Sequence, residues 1–123
     1  MAKKILLVDD EPDVVKMLAY RLKHAGYDVV TALNGKEALD VLKKEPVDLM
    51  MLDMLMPVMD GKETCKNIKQ DEKLKNLPII ILTASITTPP EELQKQMDVA
   101  GVLIKPCDPT EMLSKIKALT EKT

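Results

Sequence analysis

A chain of 123 residues has room for one domain with a sizeable core. Apolar residues make up 46%, but aromatics only 2% with no Phe or Trp, so Leu, Ile, Val, Ala and Met must fill that core. The formal net charge is −2, with 18 basic and 20 acidic residues spread along the chain, which leaves no basic block for direct nucleic-acid or membrane-surface binding. The amino-terminal apolar run is too short for a signal peptide, and no stretch approaches the roughly 20 apolar residues of a membrane span. Cys65 and Cys107 have no C-x-x-C or His cluster beside them and read as reduced structural thiols of a cytoplasmic protein. Of the nine methionines, Met50, Met51, Met54, Met56 and Met59 lie in or just after one apolar run, as core filler would.

The elements alternate along the chain. Lys4 to Val8 is a short apolar strand ending in Asp9-Asp10-Glu11-Pro12, and Pro12 suits a first helical turn. Val14, Val15, Leu18, Leu22 and Ala25 recur at helical spacing up to Gly26. Asp28 to Leu33 reads as a second strand. Asn34-Gly35-Lys36-Glu37 is a helix start with Glu at the third position, and Ala38, Leu39, Val41 and Leu42 form the buried stripe before Pro46. Leu49 to Leu52 is a strand apolar enough to be buried on both faces, and it ends in Asp53. Asp60, with Glu63, caps a weakly amphipathic third helix that runs into a Lys- and Asp-rich stretch to Asn76. Pro78 to Leu82 is a fourth strand ending in Thr83-Ala84-Ser85. Thr88-Pro89-Pro90-Glu91 starts a short helix to about Asp98. Gly101 to Ile104 is a fifth strand ending in Lys105-Pro106. Asp108 caps a last helix striped by Met112, Leu113, Ile116 and Leu119.

Five alternations of strand and helix imply one α/β domain over residues 1–123, with a parallel sheet, right-handed crossovers and helices on both faces. Every strand then ends at the same edge, where α/β folds carry their chemistry. Asp9-Asp10, Asp53, Thr83 and Lys105 fall at the ends of strands one, three, four and five. Taken singly, each has an ordinary reading: a helix cap, a strand end, a solvated lysine. Their joint placement favours a built site. Carboxylates brought together repel, and a hard divalent cation such as Mg2+ would relieve them. Lys105 adds a point charge for a phosphoryl oxygen and Thr83 a hydroxyl donor. Such a set suits placement of a phosphoryl group on Asp53.

These residues carry a resemblance. Leu7-Val8-Asp9-Asp10-Glu11-Pro12, Asp53-Met54-Leu55-Met56-Pro57-Val58-Met59-Asp60-Gly61, Thr83-Ala84 and Lys105-Pro106 make the chain similar, over essentially its whole length, to the receiver domains of bacterial two-component response regulators. The resemblance implies a flavodoxin-like (βα)5 sheet of five strands in the order 2-1-3-4-5. It implies Asp53 as phosphoacceptor. Mg2+ (or Mn2+) would be held by Asp10, Asp53 and the Leu55 carbonyl, with Asp9 acting through water. Lys105 would follow a cis peptide and meet the phosphoryl group, and Thr83 would hydrogen-bond it. The implied donor is a phosphohistidine on a sensor histidine kinase or phosphotransfer protein. The chain's only His, His24, reads as a surface residue and not as that donor. The implied output is a changed surface on helix four, strand five and helix five, on a monomer able to dimerise when phosphorylated. With no output domain after the last helix, the chain reads as a stand-alone regulator or as a receiver cut from a longer protein.

Two positions depart from the family pattern. Val102 stands where receivers usually place an aromatic, so signalling is expected through backbone and aliphatic repacking. Cys107 stands where Phe is frequent. Leu55 and Ser85 flank the expected path of an attacking water, and apolar Leu55 offers it no orienting group, so self-dephosphorylation is expected to be slow. Three other readings compete. A haloacid-dehalogenase-type phosphatase needs a second Asp at position 55, which is Leu here, so the chain is expected to assist its own phosphotransfer without being a multiple-turnover enzyme. A flavodoxin-like carrier needs a neutral phosphate loop where Asp9-Asp10-Glu11 stands. A phosphorylation-independent interaction module would not need the complete acid, Thr and Lys set.

Overall fold

The computed structural model describes residues 2–54, 59–84 and 88–121. Within them the chain runs β1 (Lys4–Val8), α1 (Pro12–His24), β2 (Asp28–Ala32), α2 (Gly35–Lys44), β3 (Leu49–Asp53), α3 (Gly61–Gln70), β4 (Ile79–Thr83), α4 (Pro90–Met97), β5 (Gly101–Ile104) and α5 (Pro109–Thr120). All strand pairs are parallel, in the order β2-β1-β3-β4-β5 expected from the resemblance.

Side chains alternate between the faces of a strand, so each strand feeds two cores. Leu6, Val8, Met50, Leu52, Ile79 and Ile81 pack with Ala38 and Leu42 of α2, Cys65 and Ile68 of α3, and Leu93 of α4. Ile5, Leu7, Leu49, Met51, Ile80 and Leu82 pack with Val15, Leu18 and Leu22 of α1 and Met112 and Ile116 of α5. All five residues of β3 and of β4 are buried. Met50, Met51 and Met112 are fully buried, as expected of filler, whereas Met17 on α1 is 51% exposed. Tyr20 on α1 is also exposed and stacks on His24, with ring centres 4.9 Å apart.

The element ends differ from the sequence reading by small amounts with identifiable causes. β2 stops at Ala32 because the Leu33 N–H donates to the Glu37 carboxylate at 3.4 Å, part of a box in which Asn34 accepts from Glu37 N at 2.9 Å. β4 starts one residue late, since Pro78 has no N–H to give; its carbonyl still accepts from Met50 N at 3.0 Å. α3 ends at Gln70, where Asp71 turns extended and accepts from Lys73 N at 2.8 Å, so the polar stretch beyond it forms turns. α4 opens on Pro89, which offers no side-chain cap, and ends at Asp98 in the left-handed region with φ 53°.

Candidate functional site

β1 and β3 are neighbours with Val8 opposite Leu52, so the next residues, Asp9 and Asp53, leave the sheet side by side. Asp9 is fully buried and Asp53 nearly so, while Asp10 is exposed. The three carboxylates each offer an oxygen within 4.8 Å of the others. Lys105, just past β5, reaches back to them: its ammonium lies 2.7 Å from Asp9 Oδ2 and 3.3 Å from Asp53 Oδ1. The Glu11 N–H donates to the other Asp9 oxygen at 3.0 Å. Thr83, at the end of β4 and 4% exposed, pairs with Ile104, and its carbonyl accepts from Lys105 N at 2.8 Å. The Lys105–Pro106 peptide is cis, as expected.

The electrostatics are unbalanced. Three carboxylates share the site with one ammonium, which contacts Asp9 and Asp53. Burial works to lower the Lys105 pKa, but the hydrogen bond from Lys105 to Asp9 and the charges of Asp53 and Asp9 outweigh it and raise it above the ordinary lysine value. Lys105 is therefore a cation at neutral pH. The donor set of the acidic group is oxygen alone, with no His or Cys in it, and its three carboxylates outnumber the one ammonium in contact with it. These are the ligands and the charge that Mg2+ or Mn2+ favours, and the residues fit such an ion.

Of the residues expected at the site, Asp9, Asp10, Asp53 and Lys105 come together, with Thr83 at the same edge. The Leu55 carbonyl and Ser85 lie outside the described residues. Val102 is buried in the core beneath α2, α3 and α4, while its neighbour Ile104 is 38% exposed. Cys107 is half-buried against the α1 and α5 core. Both thiols are free, and burial pushes Cys65 up to about 11, which keeps it protonated at neutral pH.

Two glycines prove to allow close approaches between elements, one of them at the site, although the sequence reading used them only as part of helix-start motifs. A Cβ on Gly61 would meet the Asp53 carbonyl at 2.9 Å and Met54 Cα at 3.0 Å, so only glycine lets α3 begin against the backbone that carries Asp53. Gly61 N also donates to Met54 O at 3.0 Å. A Cβ on Gly35 would collide with Thr64 Oγ1 and lie 2.9 Å from the Met59 carbonyl. Thr64, fully buried, donates its hydroxyl to Asp60 O at 2.7 Å. The available signal was an Asn-Gly and an Asp-Gly pair, each placing glycine at the first helical position.

Comparison with known proteins agrees with this geometry. The family described as "Response regulator receiver domain" matches residues 5–117. The chain is 38% identical over 123 residues to the alkaline phosphatase synthesis transcriptional regulatory protein PhoP of Bacillus subtilis, covering 100% of this chain and 50% of that one. It thus spans about half the length of that curated relative. A response regulator structure from Chloroflexus aurantiacus J-10-fl superposes with a TM-score of 0.92 at 33% identity, covering 99% of this chain and 100% of that one. The receiver domain of sensor histidine kinase PA1611 from Pseudomonas aeruginosa PAO1, solved with magnesium coordinated in its active-site cleft, superposes with a TM-score of 0.90 at 26% identity, covering 99% of this chain and 100% of that one. The chain belongs to the receiver-domain family of two-component response regulators, a family of phosphorelay signalling. Among the described residues no helix is long and apolar enough to cross a membrane.

Proposed function

We propose that this receiver takes a phosphoryl group onto Asp53 from a phosphohistidine of a partner histidine kinase or phosphotransfer protein. The observation that carries this reading is the Lys105 ammonium 3.3 Å from Asp53 Oδ1, beside two further carboxylates. An ionised Asp53 oxygen attacks phosphorus and the P–N bond breaks, its electron pair going to the imidazole nitrogen; with a proton on the other ring nitrogen, the donor histidine leaves as neutral imidazole. Asp9, Asp10 and Asp53 would hold Mg2+, which supplies positive charge for the phosphoryl oxygens. Lys105 exchanges its contact with Asp53 for one with a phosphoryl oxygen, and the Thr83 hydroxyl donates to another. Lys105 and Thr83 sit at the ends of the strands flanking α4, so satisfying the new charge biases the face of α4, β5 and α5 toward partner binding. The protein assists its own phosphorylation in the cytoplasm and is not a multiple-turnover enzyme.

Intact mass after incubation with Mg2+ and a small acyl phosphate is expected to rise by about 80 Da. Removal of divalent ions with EDTA should abolish the gain. A folded, Mg2+-supplied chain that gained nothing would instead support the phosphorylation-independent interaction module. Once formed, the acyl phosphate should decay slowly, because the position that the family resemblance sets beside the attacking water is Leu55, whose apolar side chain cannot orient it. Leu55→Asn is expected to speed that decay by about tenfold by orienting the water. An unchanged lifetime in that variant, followed by the same mass measurement, would remove Leu55 from the account.

A further inference from the structure

A groove of about 370 Å³ is lined by residues of α3 and α4. Cys65, buried, and Met97, half-buried, lie at its base, and Lys62, Lys66, Lys69 and Gln96 line it. The three lysines fall at i, i+4 and i+7 of α3, along about 10 Å of one helix face. Like charges at that spacing destabilise a helix. Among the described residues neither Lys62 nor Lys66 has an ion-pair partner within 4.0 Å, and Lys69 has only Asp98, which is 91% exposed and 3.8 Å away. The groove is thus lined, among the described residues, by three lysines and no carboxylate, on a chain whose net charge is −2.

We infer that this groove is a docking site for an acidic helical segment of a partner protein. The argument is complementarity. Carboxylates at i, i+4 and i+7 of a helix repeat at the spacing of the three lysines, and an apolar side chain between them would seat on the thioether of Met97 and the stem of Lys69. Nucleic acid fits less well, since no aromatic side chain lines the groove to stack a base. A membrane surface fits less well, since the lysines sit in a concavity and not on an amphipathic ridge. This inference does not depend on chemistry at Asp53, and its test is made on the unphosphorylated chain.

The probe is a synthetic helical peptide with glutamates at i, i+4 and i+7 and one leucine between them, titrated into the isotope-labelled full chain at low ionic strength. Amide shifts are expected at Cys65, Lys66, Lys69 and Met97, and binding should weaken as salt is raised. Combined Lys62→Gln, Lys66→Gln and Lys69→Gln should raise Kd by about tenfold, as the loss of three exposed ion pairs implies. Lys62→Gln with Lys66→Gln alone, both at exposed positions, should raise it by about fivefold if the triple variant folds poorly. The control Lys16→Gln with Lys23→Gln on α1 should leave Kd within about twofold. Shifts confined to other surfaces, an unchanged Kd in the double variant, or tighter binding of single-stranded RNA or anionic vesicles through the same lysines would each overturn the assignment.

Discussion

Asp53→Asn is expected to take up no phosphoryl group and, without divalent ions, to melt at a higher temperature than the native chain. The first half is chemistry: the amide has nearly the shape of the carboxylate but no nucleophilic oxygen at neutral pH. The second half is a charge balance. Asp53 is buried beside two like charges, Asp9 and Asp10, and one opposite charge, Lys105. Removing its charge relieves the repulsion from Asp9 and Asp10 and a desolvation penalty, and gives up the attraction to Lys105. Lys105 keeps its shorter contact with Asp9 at 2.7 Å. The expected gain is on the order of 1 kcal/mol, or about 4 °C in Tm. Mg2+ should raise the Tm of the native chain more than that of the variant, which has one anionic ligand fewer. Thermal melts with and without Mg2+ measure both quantities. A variant that melted lower than the native chain in EDTA would show that the Lys105–Asp53 attraction outweighs the repulsion.

Gly35→Ala is expected to cost about 2 kcal/mol, far more than a change at a helix amino terminus ordinarily costs. The added methyl would enter the space of Thr64 Oγ1 and the Met59 carbonyl, so α2 and α3 could not keep their present approach. A double-mutant cycle isolates the cause. Thr64→Ala alone should cost about 1 kcal/mol through the lost hydrogen bond to Asp60 O. In the Gly35→Ala background it should instead recover part of the loss, giving a coupling energy of about 1 kcal/mol or more. Recovery should be incomplete, because the Met59 carbonyl remains 2.9 Å from the new methyl. Denaturant melts of the four proteins supply the cycle, and strictly additive costs would show that the strain lies elsewhere.

The element order and the shared edge were legible because apolar runs alternated with helical stripes and four of the five strands ended in a polar residue. Asp53 stood out as a charge at the tip of a strand that is apolar throughout. The neighbouring positions of β1 and β3 were not readable from periodicity; they came with the receiver motifs. Lys105 illustrates a different limit. Its expected partner was a phosphoryl oxygen, yet in the unphosphorylated chain its ammonium rests on Asp9, which was expected to act through water. A pairing between residues 96 positions apart leaves no local trace, since it depends on how two loops converge. The contact between Gly35 and Thr64 was hidden for the same reason. Capping chemistry, being local, was legible at Asn34, Asp60 and Asp108, each of which accepts a backbone N–H as its sequence suggests.

The unequal burial of β3 and α4 has a mechanical consequence. Asp53 ends a strand with five buried residues and paired neighbours on both sides, whereas α4 spans eight residues, of which only Leu93 is buried, with Met97 packed partly against the same core. Opening β3 would breach both cores, while lifting α4 would expose little apolar surface. The domain therefore combines a stiff spine with a more compliant flank.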